Sequence, residues 1–297
     1  MKSAISERES WTNWREVRGF PRITEATLAE LLDGGQAFRW NRRDESAWRG
    51  VWASHVAELQ VMDDRLCWRS PQKSAVADER ALHNYLDATG HQERFADELP
   101  WRSDRHLAGC LQAFPALRIL RQPFGETLLS FLCSATKQIV QIKQMVALLA
   151  ERHGAPLAAG PDRLPTWEEL GRVSEKALRE CLLGFRARYI FQTAQFLKAH
   201  PGWLEETEQL LYAAAKERLC SLPGVGEKVA DCVLLFGAGR LEAFPVDTWI
   251  LKTMARRYGL VDWKPAQVAQ FGRAHFGAAA GLAQQYLFAW ERQEARR

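Results

Sequence analysis

The 297-residue chain contains no CxxC pair and no Cys/His cluster at zinc spacing, and its six cysteines (Cys67, Cys110, Cys133, Cys181, Cys220, Cys232) are widely scattered. That scatter argues against a disulfide framework and a structural metal, and implies reduced, mostly buried thiols. No apolar run reaches membrane-spanning length, and the opening MKSAISERESW lacks the apolar core of a signal peptide. An intracellular protein without a membrane partner is the resulting expectation. Low-complexity segments and long internal repeats are also missing. Net charge is only +4, but residues 1–120 hold 17 basic and 18 acidic side chains, whereas residues 121–297 hold 23 and 18. A basic second part is compatible with a polyanion partner, and equally with solvated helical faces.

What is present is the composition of a globular protein, 47% hydrophobic and 26% charged, long enough for one large domain or two ordinary ones. Twelve tryptophans are many for this length. In the first hundred residues QAFRW (36–40), WRGVWASHVAELQVM (48–62) and RLCWRS (65–70) alternate aromatic and β-branched residues between polar breaks. They predict an antiparallel sheet joined by short turns such as NRRDES and MDDR, followed by a helix in LHNYLDATG. From about residue 104 the pattern is helical. GETLLSFLCSATKQIVQIKQMVALLAERHG has helical apolar spacing, ends at a glycine, and is least apolar at CSATKQ, where an interruption is expected. SEKALRECLL, ARYIFQTAQFLKAH, AAAKERLC, KVADCVLLFG, DTWILKTMARRYG and GLAQQYLFAWERQEARR are further helices, with PLAAGPDRLPTW and HPGW read as loops. The expected class is α+β, mainly helical: a β-rich part at 1–118 on a helical body at 119–297.

The segment SLPGVGEKVAD (221–231) carries the most chemistry. A helix precedes the Pro-Gly-x-Gly turn and another follows it. Leu222 and Val225 can pack between them, while Gly224 and Gly226 permit backbone angles and close approach that a side chain blocks. N–H groups opening the second helix then face an anion, the helix-hairpin-helix way of gripping one DNA phosphate without reading sequence. Lys228 lies in that helix's first turn, where the positive dipole end favours the neutral amine. The dipole contributes only about 1 kcal/mol, less than one pKa unit. A nucleophilic lysine needs more, from burial or from other cations. From the turn alone, a solvated surface charge is the commoner reading. Asp247, nineteen residues on and just before a helix, is suited to capping that helix. It is equally suited to facing positive charge that develops on a sugar ring, and the two roles are compatible.

Taken in order, GGQAFRW (34–40), LRQPFGETLLSFLCS (120–134), GFRARY (184–189), LPGVGEKVADC (222–232), PVD (245–247) and AQQYLF (283–288) resemble the helix-hairpin-helix, Gly/Pro-rich loop, aspartate superfamily of base-excision glycosylases. More narrowly they resemble the 8-oxoguanine DNA glycosylases. The resemblance implies that Lys228 attacks the sugar C1′ of a flipped nucleotide, expels the base and forms a Schiff base whose β-elimination cuts the strand 3′ to the lesion. Asp247 would stabilise the oxocarbenium-like transition state. Gly35 would accept N7–H of 8-oxoguanine with its carbonyl. Cys232 and Phe288 would sandwich the base beside Phe236, and Gln284 would bind its Watson–Crick edge. The N–H groups of Gly224, Gly226 and Val229 would hold phosphate, with Trp249 near the backbone. Carbonyls of Cys220, Leu222 and Val225 match a site for a monovalent cation, and no catalytic metal or other cofactor is implied. The four-cysteine iron–sulfur motif of some superfamily members is missing. The implied partner is double-stranded DNA containing 8-oxoguanine, bound by a monomer, in the cytoplasm or nucleoid of a bacterium or the nucleus of a eukaryote.

The chain departs from that pattern on the side of the opposite base. Thr136 stands where the family has an asparagine, Gln141 where it has an arginine, and only Arg186 of the three implied readers is retained, behind the wedge residue Phe185. A relaxed preference for the base opposite the lesion is therefore expected. Two rivals are a glycosylase for another oxidised or alkylated base and a non-catalytic lesion-binding protein. Lys228 with Gly35 argues against the first, and Lys228 with Asp247 against the second.

Overall fold

Tryptophan and arginine alternate along the early strands because successive side chains point to opposite faces of a sheet. The computed structural model describes residues 10–88 and 91–295. Strands β1 (Arg15–Glu16), β2 (Trp40–Arg42), β3 (Trp48–Trp52), β4 (His55–Met62) and β5 (Arg65–Arg69) form one antiparallel sheet in the order β1-β5-β4-β3-β2. Its inner face buries Trp40, Trp48, Trp52, Leu59, Leu66 and Trp68. Trp40 and Trp52 stack at 5.9 Å, and the Trp40 indole N–H donates to the Tyr85 hydroxyl at 3.0 Å. On the outer face the fully buried Glu58 carboxylate is shared by Arg43, Arg49 and Arg69, which offset the cost of its desolvation.

The segment 48–62 is two strands, with a two-residue turn at Ala53–Ser54. Its lack of a glycine or asparagine hides the break from the sequence. Asp63 and Asp64 turn β4 into β5 with φ of +50° and +60°, a conformation that Asp tolerates. QAFRW is a strand only from Trp40 on.

Helices begin earlier than expected, with α1 (Glu25–Asp33), α2 (Ala75–Tyr85), α3 (His91–Glu98) and α4 (Arg105–Ala113). The helix expected at LHNYLDATG ends at Tyr85, and its Thr89 and Gly90 lie outside the described residues. The long apolar segment breaks where its apolar periodicity lapses, into α5 (Phe124–Leu132) and α6 (Ile139–His153). Short helices α7 (Trp167–Leu170) and α8 (Glu175–Leu178) follow, and SEKALRECLL does not continue as one helix because Leu182 has φ +60°. Then come α9 (Arg186–Ala199), α10 (Trp203–Gln209), α11 (Tyr212–Cys220), α12 (Glu227–Phe236), α13 (Thr248–Tyr258), α14 (Pro265–Phe276) and α15 (Ala280–Glu294). HPGW is a loop only as far as Gly202, since Trp203 opens α10.

Two contacts matter for the site. The C-terminal helix α15 runs through the interior, packed on α4, α13 and α14, with Tyr286 donating to the Leu117 carbonyl at 3.0 Å. The sheet is pinned to α5 by Glu126, whose carboxylate accepts from the Ala53 N–H at 3.0 Å. Burial, opposed by the charge of Arg39, pushes the Glu126 carboxyl up to about 7. One continuous apolar core links the sheet and the helical body.

Candidate active site

The helical hairpin forms as its sequence predicts. Leu222 and Val225 are buried between α11 and α12, and Gly224 adopts φ +78°. A Cβ on Gly224 would lie 2.4 Å from the ring of Tyr189, so the turn needs glycine for both space and angle. Around Gly226, which precedes α12, a Cβ would meet nothing within 4 Å, so this backbone is open to an approaching phosphate. Val229 lies in the first turn of α12. The Leu222 carbonyl accepts from the Val225 N–H at 3.1 Å, which uses one of its two lone pairs.

Lys228 extends from α12 into a cavity lined by Gly35, Phe131, Lys228, Cys232, Phe236, Pro245, Asp247, Gln284, Gln285 and Phe288. All seven catalytic and base-pocket residues singled out in the sequence meet there, from segments more than 200 positions apart. The Lys228 amine donates to Ser134 Oγ at 3.3 Å and lies 5.3 Å from the centre of the Phe131 ring. Asp247 caps α13, accepting from the Ile250 N–H at 2.8 Å. Burial pushes its carboxyl above the usual carboxylate range, opposed by that N–H and by the charge of Lys228. The Cys232 thiol is pushed up to about 12 by burial, against the pull of Lys228, so it stays neutral.

Gly35 follows α1 with φ +97°, and a Cβ there would lie 2.9 Å from Ile139 Cδ1 and 3.9 Å from the Phe288 ring. Gln284 is held by its neighbour, with Gln285 Nε2 donating to Gln284 Oε1 at 2.8 Å. The cavity encloses about 50 Å³, far less than the several hundred cubic ångströms of a typical ligand pocket. Phe131 and Phe236 stack at 5.5 Å and form one wall. Phe131, Ser134, Pro245 and Gln285 lie inside the motifs quoted from the sequence but were not given individual roles there. Phe131 sits in a stretch that is apolar at all positions but Ser130, which gives no sign of which face meets the cavity.

The residues expected near the opposite base lie outside this cavity. Phe185 is half exposed, stacked edge-on against Tyr189. Arg186 is 3% exposed, and its guanidinium donates to the carbonyls of Ala135 and Leu183 and, at 3.0 Å, to Thr136 Oγ1. Thr136 has φ +55° in the turn between α5 and α6, unusual for a β-branched residue. Gln141 accepts from the Gln138 N–H at 3.2 Å and so caps α6. Trp249 is 42% exposed, two residues after Asp247.

With that geometry, the sequence can be set against known proteins. The family described as 8-oxoguanine DNA glycosylase, N-terminal domain, matches residues 21–128. The N-glycosylase/DNA lyase OGG1 of Arabidopsis thaliana is 32% identical over 89% of this chain and 77% of its own length. The chain belongs to the 8-oxoguanine DNA glycosylase family. The N-glycosylase/DNA lyase of Saccharomyces cerevisiae is 37% identical to this glycosylase over 79% of the chain and 69% of its own length. Among solved structures, the Clostridium acetobutylicum 8-oxoguanine glycosylase/lyase, in complex with double-stranded DNA holding cytosine opposite 8-oxoguanine, superposes with a TM-score of 0.85. It is 30% identical, over 93% of this chain and 99% of that one. An Archaeoglobus fulgidus 3-methyladenine glycosylase, 20% identical with a TM-score of 0.74, shares the fold.

Proposed function

We propose that Lys228 and Asp247 carry out the two reactions of this glycosylase, excision of 8-oxoguanine from duplex DNA and cleavage at the resulting abasic site. The base is reached by flipping it out of the stack. Lys228 attacks C1′, the C1′–N9 bond breaks, and the base leaves with the bonding pair. The attached amine loses a proton, its lone pair breaks the C1′–O4′ bond as O4′ takes up a proton, and the opened sugar is left as a Schiff base. Removal of a C2′ proton then breaks the C3′–O bond and expels the 3′ phosphate. Asp247 supplies fixed negative charge opposite the oxocarbenium-like sugar. The hairpin glycines and Val229 grip the backbone, with Trp249 at its edge. Gly35, Cys232, Phe236, Gln284 and Phe288 receive the base. The carbonyls of Cys220, Leu222 and Val225 take a monovalent cation, and no chemical step passes through it. On this reading the sheet-bearing part, 1–118, contributes Gly35, and the part from 119 on contributes the rest. The enzyme acts as a monomer where the DNA is, in a nucleoid or a nucleus.

The observation that carries this reading is the convergence of Lys228, Asp247 and Gly35 on one cavity beside an open phosphate-facing turn. Borohydride trapping on 8-oxoguanine duplexes tests it. Lys228→Gln should lose both the covalent adduct and strand cleavage, and an undiminished adduct would sink the assignment. Asp247→Asn separates charge from capping, because asparagine caps a helix as well as aspartate does. Its melting temperature should hardly change while excision falls roughly 10²–10³-fold, as for loss of one preorganised electrostatic group.

A further inference from the structure

Gly35 follows α1 in a bend whose two sides are fixed in different ways. Downstream, Gln36 is fully buried, donating to the Arg118 carbonyl at 3.1 Å and accepting from the Leu120 N–H at 2.9 Å. Its own carbonyl accepts from Gln122 Nε2 at 2.5 Å. Upstream, Asp33 borders a groove of about 620 Å³ instead of packed core. Two cations from distant helices hold it there. Lys143 of α6 donates to the Asp33 carboxylate at 2.7 Å and to the Trp40 carbonyl at 2.7 Å. Arg292 of α15 donates to the Asp33 carbonyl at 3.3 Å and to the Glu30 carboxylate at 2.8 Å. That carboxylate in turn covers Gly34, where a Cβ would lie 2.5 Å from Glu30 Oε1. The Arg292 guanidinium also sits 5.7 Å from the centre of the Phe288 ring. Side-chain exposures of 18% for Lys143 and 11% for Arg292 leave these bonds weakly screened by solvent. The two cations face Asp33 and Glu30, so the cluster is neutral and offers no surplus charge to a DNA phosphate.

We propose that Lys143 and Arg292 are positioning residues that act through Gly35, clamping the bend so that its carbonyl is held towards the base pocket. The inference rests on Gly35 being the base reader. Two successive glycines give this stretch more backbone freedom than any other pair, and Gly35 already stands at φ +97°. Guanine presents a lone pair at N7, where 8-oxoguanine presents N–H. A carbonyl free to swing would accept from the one and turn away from the other. A clamped carbonyl binds the one and repels the other, so rigidity turns a single hydrogen bond into discrimination. Arg292 further ties the bend to α15, which carries Gln284 and Phe288. The three groups that receive the base thereby keep one register.

A clamp of this kind should matter for base recognition and hardly at all for imine chemistry, whereas a merely structural pair would affect both alike. The readout compares single-turnover excision of 8-oxoguanine with borohydride trapping on a preformed abasic duplex. Lys143→Met and Arg292→Met keep the aliphatic stems and remove the donors. Each should slow excision roughly tenfold, less than the 10²-fold that goes with misplacing a positioned group by about an ångström. Trapping should stay within about twofold, since it reads no base edge. A double-mutant cycle tests the route. In a Gly35→Ala background, where the carbonyl has already moved, Arg292→Met should cost less than about twofold more. Unchanged excision in either variant, equal losses on the two substrates, or a full further loss on top of Gly35→Ala overturns the proposal. Gly35→Ala alone separates this inference from the reading beneath it. Equal losses there on both substrates overturn Gly35 as base reader, and this inference with it. A selective loss there, with unimpaired clamp variants, overturns this inference alone. Should Arg292→Met fail to give a cooperative melt, Lys143→Met decides by itself, alone and in the Gly35→Ala background.

Discussion

The base pocket and the turn between α5 and α6 meet at Ser134, yet they are held in different ways. The pocket draws on five segments, and its walls are packed rings: Phe131 against Phe236, with Phe288 close to Gly35. Its polar side chains are few: Lys228 meets Ser134, Asp247 meets the Ile250 N–H, and Gln284 meets Gln285. The turn has almost no packed wall. Thr136, Lys137 and Gln138 are exposed, and its shape depends on one buried guanidinium that gathers the carbonyls of Ala135 and Leu183. Chemistry is thus built on interdigitated apolar surface, and the neighbouring rim on hydrogen bonds. A change in the pocket should damage catalysis before stability, and a change under the turn should do the reverse.

The most severe way to test the first half of that contrast, outside the catalytic pair, is Gly35→Ala. The new methyl would meet Ile139 at 2.9 Å, and φ of +97° is a strained angle for alanine. The Gly35 carbonyl would shift, and misplacement by about an ångström in a positioned site costs on the order of 10²-fold. Excision of 8-oxoguanine should fall by about that factor. Trapping on a preformed abasic site, which needs no base recognition, should fall much less. Equal losses on the two substrates would show that Gly35 shapes the backbone generally and not the base pocket.

Arg186→Ala tests the second half. It leaves the buried Leu183 carbonyl and the half-buried Ala135 carbonyl without their side-chain donor, at about 1–3 kcal/mol for an abandoned buried group. The melting temperature should drop by several degrees. Because Ser134 leads into the turn and accepts from Lys228 at 3.3 Å, trapping should slow as well, but by less than in Gly35→Ala excision. An unchanged melting temperature would mean that the turn is held by something else.

The same contrast explains what could be read from the sequence. Gly224 at positive φ was legible from the turn itself and Asp247 from its place before a helix, whereas Gly35 and the nucleophilic reading of Lys228 came only through the resemblance. The break inside 125–154 was legible because apolar periodicity fails at CSATKQ, and the two halves do end there. Phe131 was not, because LLSFLC is apolar at every position but Ser130 and period alone does not choose a face. Strand β1, two residues long, carries no periodic signal. Helix α14 had one, proline at its first position, but its alanine- and glutamine-rich face offers weak apolar contrast. Most of all, the partners of Arg186 were invisible. No local pattern says that a surface-type residue spends its donors on carbonyls fifty positions away.

The smallest expected effect follows from where the rim's polar atoms already point. Thr136 Oγ1 is engaged by Arg186, and Gln141 is engaged by the backbone of Gln138. Neither carries the full charge that makes an arginine–base contact worth roughly 1–3 kcal/mol of discrimination. With Arg186 itself bound to the turn, little remains to separate cytosine from its competitors. Single-turnover excision on duplexes with each of the four bases opposite 8-oxoguanine should therefore differ by less than about tenfold, the rate equivalent of roughly 1.4 kcal/mol. Gln141→Arg should widen that spread in favour of cytosine, because it adds a charged donor at the first turn of α6. If the unmodified enzyme already prefers cytosine by well over a hundredfold, then Arg186 must leave Ala135 when DNA binds. The rim would then be a switch, and the contrast with the packed pocket would hold only for the DNA-free protein.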